Sequence, residues 1–114
     1  MPGKLQLEVV TPERRVLSVT TEFVALPGVN GQFGVLFNHA PLIAGLTIGI
    51  IRYGTMHGAQ QRLFVSGGLA EIVDNRITVL ADVAEREDEI DVARAKAAKE
   101  RAERRLRSQQ ENID

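Results

Sequence analysis

Residues 77–107 read ITVLADVAEREDEIDVARAKAAKERAERRLR, and they change character half-way. Ile77 to Leu80 is a short run of β-favouring residues. After Ala84 the composition turns abruptly to Glu, Asp, Lys, Arg and Ala, of which all but Asp are good helix formers. Acidic residues come early and basic ones late, an order that complements a helix dipole. Asp88 or Asp91 is the expected N-cap. Glu100 with Arg104 and Glu103 with Arg107 are i,i+4 pairs in the favourable orientation. A helix is therefore expected over residues 85–107. Its apolar stripe, Ala95, Ala98, Ala102 and Leu106, follows 3-4-4 spacing but is mostly methyl groups. Such a stripe anchors little by bulk and suits close approach of another helix or a flat sheet; a solvated, self-stabilised helix is the alternative. The polar end, Ser108 to Asp114, breaks the stripe, and Asn112 and Asp114 are N-cap types. A second helix facing the alanines is expected there and is missing from this chain.

Upstream of Ala84 the period is two. Leu5, Leu7 and Val9 alternate with Gln6 and Glu8. Residues 16–19, 23–26, 48–53, 62–66 and 77–80 are further β-rich runs, separated by Thr11-Pro12, Pro27-Gly28, Asn38 to Pro41, His57-Gly58, Gly67-Gly68 and Asp74-Asn75. Short strands at roughly ten-residue spacing with Gly/Pro punctuation predict a sandwich or closed barrel. The fold class is thus mostly β with an α tail, divided into a β domain over 1–84 and a helical segment over 85–114.

Composition narrows the function classes. The chain has 114 residues, 44% of them hydrophobic, which suits one domain with a modest core and an appendage. A net charge of −1 gives no global attraction to nucleic acid or anionic lipid. With no cysteine there is neither a disulfide framework nor a thiolate nucleophile or metal ligand. No apolar run reaches membrane-span length. The start, MPGKLQLEVV, lacks signal-peptide features, so a cytoplasmic protein without direct membrane insertion is expected.

Catalytic chemistry finds little footing. His39 and His57 each sit in a turn signal with no partner at metal-ligand spacing, and no Gly-x-Ser-x-Gly, Walker or Gly-x-Gly-x-x-Gly pattern occurs. Gly28, Gly31 and Gly34 are expected in a loop between strands, where they serve turns rather than phosphates. Gly67-Gly68 reads as a bulge or bend. The tail's basic residues alternate with Glu, and no aromatic follows Phe64 to stack a base, which argues against nucleic acid. One local cluster is richer. On a helical wheel Arg94, Arg101 and Arg105 fall within about 40° of one another, beside the alanine stripe and with Asp91 at its far end. Arginines next to a shelf of small residues suit phosphates and a flat base.

Several motifs then occur in order: Gly31-Gln32-Phe33-Gly34-Val35-Leu36, Asn38-His39-Ala40-Pro41-Leu42, Phe64-Val65-Ser66-Gly67-Gly68-Leu69-Ala70-Glu71-Ile72 and Thr78-Val79-Leu80-Ala81-Asp82. Together they resemble the epsilon subunit of bacterial F-type ATP synthase, from Leu5 to Asp114. The resemblance implies an N-terminal β-sandwich of two sheets at the foot of a central stalk, contacting the gamma subunit and the loops of the c-ring. It also implies a C-terminal helical pair that inhibits ATP hydrolysis when extended into the alpha/beta catalytic head. Ile90-Asp91-Val92-Ala93-Arg94-Ala95 is similar to that family's nucleotide motif, so the resemblance implies that Glu85, Ile90, Asp91, Arg94, Ala95 and Arg101 hold ATP. It places Gln32 and His39 in the loop facing the c-ring and gamma; Gln32 stands where an acidic residue is often found.

The expected function is a non-catalytic rotor subunit, peripheral on the cytoplasmic face of the bacterial membrane. It needs no cofactor and no metal, and ATP acts as a regulatory ligand, weakly bound without the second helix. A free-standing nucleotide-sensing module is the alternative. No base–nucleophile pair supports an enzyme.

Overall fold

The computed structural model describes residues 3–111. Ten strands precede one helix: β1 (Leu5–Val10), β2 (Arg15–Thr21), β3 (Phe23–Gly28), β4 (Gly31–Val35), β5 (Leu42–Leu46), β6 (Gly49–Gly54), β7 (Gln60–Val65), β8 (Gly68–Val73), β9 (Arg76–Leu80), β10 (Ala84–Arg86) and α1 (Glu87–Glu111). The strands run in the order β10-β7-β6-β3-β5-β8-β9-β1-β2, with β4 on the other edge of β3. All neighbours are antiparallel except β1 and β9, which pair in parallel from Gln6↔Arg76 to Val10↔Leu80.

The sheet folds over at β3. Phe23 to Ala25 pair with β6, while Gly28 at the far end pairs with Leu46 of β5. One layer is thus β10-β7-β6-β3-β4 and the other β5-β8-β9-β1-β2, and the outer edges β2 and β10 approach each other. The result is the expected sandwich, nearly closed into a barrel. Alternation fills it: Leu5, Leu7 and Val9 point inward from β1, and Ile72, Ile77 and Val79 from β8 and β9. They meet Leu26, Val35, Ile51, Leu63 and Val65 of the facing layer, all at most 1% exposed. The buried Thr21 hydroxyl faces the Phe23 and Gly54 carbonyls at 3.0 Å and accepts from the Gly54 amide at 2.7 Å. No buried side-chain polar atom among the described residues lacks a partner.

Three expectations are corrected. Gly31 to Gly34 form strand β4, hydrogen-bonded along β3, rather than a loop; Gly31, at φ +123°, supplies the turn geometry that closes this hairpin. Pairing on a neighbouring strand overrides the low β propensity of glycine there. The helix runs from Glu87 to Glu111, not over 85–107. Residues 84–86 are drawn into β10 by pairing with Leu63, Phe64 and Val65 of β7. At the other end Gln109, Gln110 and Glu111 prolong the helix, so its last turn carries no basic residue. Neither Asp88 nor Asp91 is the N-cap. Arg86 precedes the first turn, and Glu89, at N3, accepts its backbone N–H at 3.4 Å, the Glu half of a capping box. Gly67 and Gly68, at φ +110° and +131°, make the expected bend.

Candidate functional site

Two regions carry the expected site residues. The first is the outer face of the β5-β8-β9-β1 layer with the adjoining β3–β4 hairpin. Gln32 lies on β4 opposite Pro27, exposed, beside an open groove of about 410 Å³ lined by Val29, Gln32, Phe33, Leu42 and Ile43 among others. His39 is half-buried in the turn after β4 and donates from Nδ1 to the Ala40 carbonyl at 2.7 Å. Its backbone amide bonds the Leu36 carbonyl at 3.1 Å. The two residues lie at opposite ends of the β4 segment; strand rise puts about 10 Å between Gln32 and Val35 alone. Asn38 and Asn75 tie this turn to the β8–β9 turn through the Asn38 amide and Asn75 Oδ1 at 2.6 Å.

A feature the sequence reading missed crosses the same face. Gly45, Leu69, Leu80 and Val10 form one cross-strand row on β5, β8, β9 and β1. Val29 lies over Gly45, to whose carbonyl its amide donates at 2.9 Å. Ile43 and Glu71 begin the next row. Ile43 is 72% exposed, Val29 62%, Leu80 54% and Leu69 50%. A contiguous apolar strip of this kind marks an interaction surface rather than scattered surface residues. The signal was present in Leu69-Ala70-Glu71-Ile72-Val73, where leucine and valine occupy the outward parity, but both parities being apolar hid which face is which.

The second region is the helix and its base. Glu85 sits on β10 opposite Phe64, partly buried. Ile90, Asp91, Arg94 and Ala95 lie on α1; their side chains, with those of residues 92, 93, 96, 98 and 109–111, fall outside the described ones, and residues 112–114 lie outside the described residues altogether. Arg101 is exposed two turns further on. A straight helix carries Arg101 about 21 Å along the axis from Glu87, so Glu85 and Arg101 do not converge. Ala102 is exposed and Leu106 is 59% exposed, which leaves the described end of the alanine stripe in solvent.

The base of the helix holds ion pairs that sequence spacing alone did not reveal. Arg14, in the β1–β2 turn, forks onto Glu89 with NH1–Oε1 at 3.4 Å and NH2–Oε2 at 3.0 Å. Arg86 NH2 donates to Glu89 Oε1 at 3.1 Å, and Arg62 of β7 pairs with Glu87 at 2.9 Å. The Arg14 hydrogen bonds hold the Glu89 carboxyl below its ordinary value, against a smaller opposing effect of desolvation. The same bonds raise the Arg14 guanidinium. Below this junction lies a groove floored by Leu17, Val19 and Tyr53, where burial pushes the Tyr53 phenol up. Among the described residues no group of three His, Asp or Glu side chains is placed to hold a metal, and no helix is long and apolar enough to cross a membrane.

A two-layer β-sandwich with an outward apolar strip and a projecting charged helix defines a chain that works through its surfaces. The comparisons identify which. Residues 4–87 match the ATP synthase, Delta/Epsilon chain, beta-sandwich domain, and residues 88–114 match the long alpha-helix domain of the same chains. The protein belongs to this family and is a non-catalytic chain of ATP synthase. It is 53% identical over 114 residues to the ATP synthase epsilon chain of Desulfitobacterium hafniense (strain Y51), covering all of this chain and 85% of that one. It is 47% identical over 114 residues to the epsilon chain of Nitratidesulfovibrio vulgaris (strain DP4), again covering all of this chain and 84% of the relative. The fold is shared with a chain in the cryo-EM structure of the Euglena gracilis mitochondrial ATP synthase OSCP/F1/c-ring assembly. There the TM-score is 0.71 and identity 22%, over all of this chain and 70% of that chain.

Proposed function

We propose that this chain is a central-stalk subunit that couples gamma to the c-ring, with its 1–84 β domain as the binding body and residues 85–114 as a regulatory segment. The observation that supports it best is the apolar strip Val29–Leu69–Leu80 with Ile43, exposed on a rigid sheet and adjoining the Gln32 hairpin. A sheet face so placed fits a large protein partner, and the polar hairpin tip beside it fits the polar loops of a ring. Relatives bear the name ATP synthase epsilon chain, and a further fold neighbour of 11% identity, with a TM-score of 0.61 over 78% of this chain and 71% of its own, is described as part of the Tetrahymena thermophila central stalk/c-ring. The chain then lies peripherally on the cytoplasmic face of the bacterial membrane, held there by its partners.

Co-purification with gamma tests this reading. The wild-type chain is expected to form a stable pair at micromolar concentration, and Ile43→Asp with Leu69→Asp to abolish the pair while thermal unfolding stays cooperative. A cysteine at position 32 or 39 is expected to crosslink to the polar loop of subunit c. Failure of the unsubstituted chain to pair with gamma would leave the free-standing nucleotide-sensing module as the better reading.

The regulatory segment senses ATP without hydrolysing it in this proposal, through Glu85, Ile90, Asp91, Arg94, Ala95 and Arg101. In this proposal an arm carrying a second helix reaches the alpha/beta head and inhibits hydrolysis. Arg101 stands on an exposed helix face about two turns from Arg94, where water screens charge, so ATP binding by this form is weak. Isothermal titration of ATP into this chain and into one extended by a second helix checks the point; equal affinities would overturn it. Any binding by this chain is expected to vanish in Arg94→Ala.

A further inference from the structure

The helix α1 is 25 residues long, about 37 Å, and its described contacts with the sandwich are with β7, β10 and, through Glu89, the β1–β2 turn. From Lys99 to Ser108 every residue is exposed. Its direction is therefore decided at the base. Three arginines from three separate elements converge there on the acidic first turn: Arg14 from the β1–β2 turn and Arg86 from β10 on Glu89, and Arg62 from β7 on Glu87. Glu89 is the centre. Its side chain is 27% exposed and takes both prongs of Arg14, the Arg86 guanidinium and the Arg86 backbone amide. The Arg14–Glu89 pair spans 75 residues of sequence and joins the helix to the β1–β2 turn, at the opposite edge of the sheet path from β10.

We infer that Arg14 and Glu89 form an ionic latch that fixes the projecting pose of the helix relative to the sandwich, with Arg62–Glu87 as its second point of attachment. Two attachments on opposite sides of the helix start remove the swivel that a single strand-to-helix junction leaves. Leverage makes this consequential: a tilt of about 10° at the base moves the far end by about 6 Å. Because the contacts are ionic and partly exposed, they yield to salt or to a competing anion without any core residue moving. The inference rests on these contacts alone and stands whether or not the partner reading holds.

The chain has no cysteine, so spin labels at Thr47→Cys and Leu106→Cys, both exposed, report the pose in the full-length protein without background. A narrow distance distribution is expected at low ionic strength. Arg14→Ala leaves the helix sequence intact, and Glu89→Gln keeps a residue type that still serves the capping box; each is expected to widen the distribution at least twofold with ellipticity at 222 nm unchanged. Salt at 1 M is expected to widen the wild type likewise and to widen Arg14→Ala by less, since only Arg62–Glu87 and Arg86–Glu89 remain there to be screened. Distributions as narrow in both variants as in the wild type would overturn the latch. Widening that comes with a matching loss of ellipticity would overturn it too, since Glu89 would then be a helix cap and nothing more.

Discussion

Glu89 joins three jobs in one carboxylate: it caps α1, holds Arg86 and grips Arg14. Its ionised form is the one that does all three, which is why its pKa is depressed. The sign follows from linkage. A group whose folded pKa lies below its unfolded value of about 4.3 contributes stability in full above that value and loses it as pH falls through the lower, folded one. Arg14 and Arg86 face it, and Glu85, Glu87 and Asp88 stand nearby. Helix-pose distances are thus expected to stay constant from neutral pH down to the ordinary glutamate value of about 4.3 and to broaden only below it, as Glu89 takes up its proton. At the other extreme of local demand stands Gly68. At φ +131°, a Cβ there would run into the Leu80 carbonyl oxygen, a backbone atom that cannot swing aside. Gly31, at φ +123°, has open space where its Cβ would go. Gly31→Ala is expected to cost about 1–3 kcal/mol of backbone strain. Gly68→Ala is expected to exceed it clearly, because β8 and β9 must also part; urea denaturation midpoints rank the two.

At the scale of elements, the sandwich and the helix draw stability from different sources. Strands β1 to β10 share one buried cluster that runs from Leu5 to Ala84. The helix adds no described residue to it, relying on composition and its ionic base. A chain ending at Glu87 is therefore expected to unfold cooperatively with a urea midpoint close to that of the full chain, whereas a chain ending at Ala84 loses the β10 pairs of Glu85 and Arg86 and drops further. Circular dichroism and urea titration of both truncations check this. The same division explains what could be read ahead. The alternation of Leu5, Leu7 and Val9 and the abrupt turn to Glu, Lys, Arg and Ala after Ala84 were each a local signal, sufficient for a sandwich and a helix. Strand β4 was not legible, because three of the residues at 28–34 are glycine and only the facing backbone of β3 makes them a strand. Arg14–Glu89 was invisible for a plainer reason: nothing near residue 14 marks it as a partner for residue 89. Of the expected nucleotide residues, the sequence marks a pattern on one helix, and the fold puts Glu85 on a strand at the base and Arg101 far along the axis.

For the whole molecule, shape follows from that asymmetry. The chain measures 70 × 28 × 25 Å with a radius of gyration of 18.6 Å, against about 13 Å for a compact domain of this length. Small-angle scattering at low salt is expected to show this elongation, and the Glu87 truncation to fall to about 12 Å. A loss of elongation in the full chain would mean that α1 folds back onto the sandwich in solution.

The parallel pairing of β1 with β9 bears on how the protein is made. Gln6 finds Arg76 across 70 residues of chain, while every link between them in the sheet path is formed by strands synthesised in between. On the ribosome, the β1–β2 hairpin emerges early and has only itself to pair with until β9 clears the exit tunnel. Its inner residues, Leu5, Leu7 and Val9, stay uncovered for that interval, a hairpin alone being marginal in water. This is the strand pairing of greatest sequence separation in the sheet, and contacts of such separation form slowly. Nascent chains halted before residue 76 emerges are the species in which chaperones would find this subunit, and chains released past it are those that close on their own.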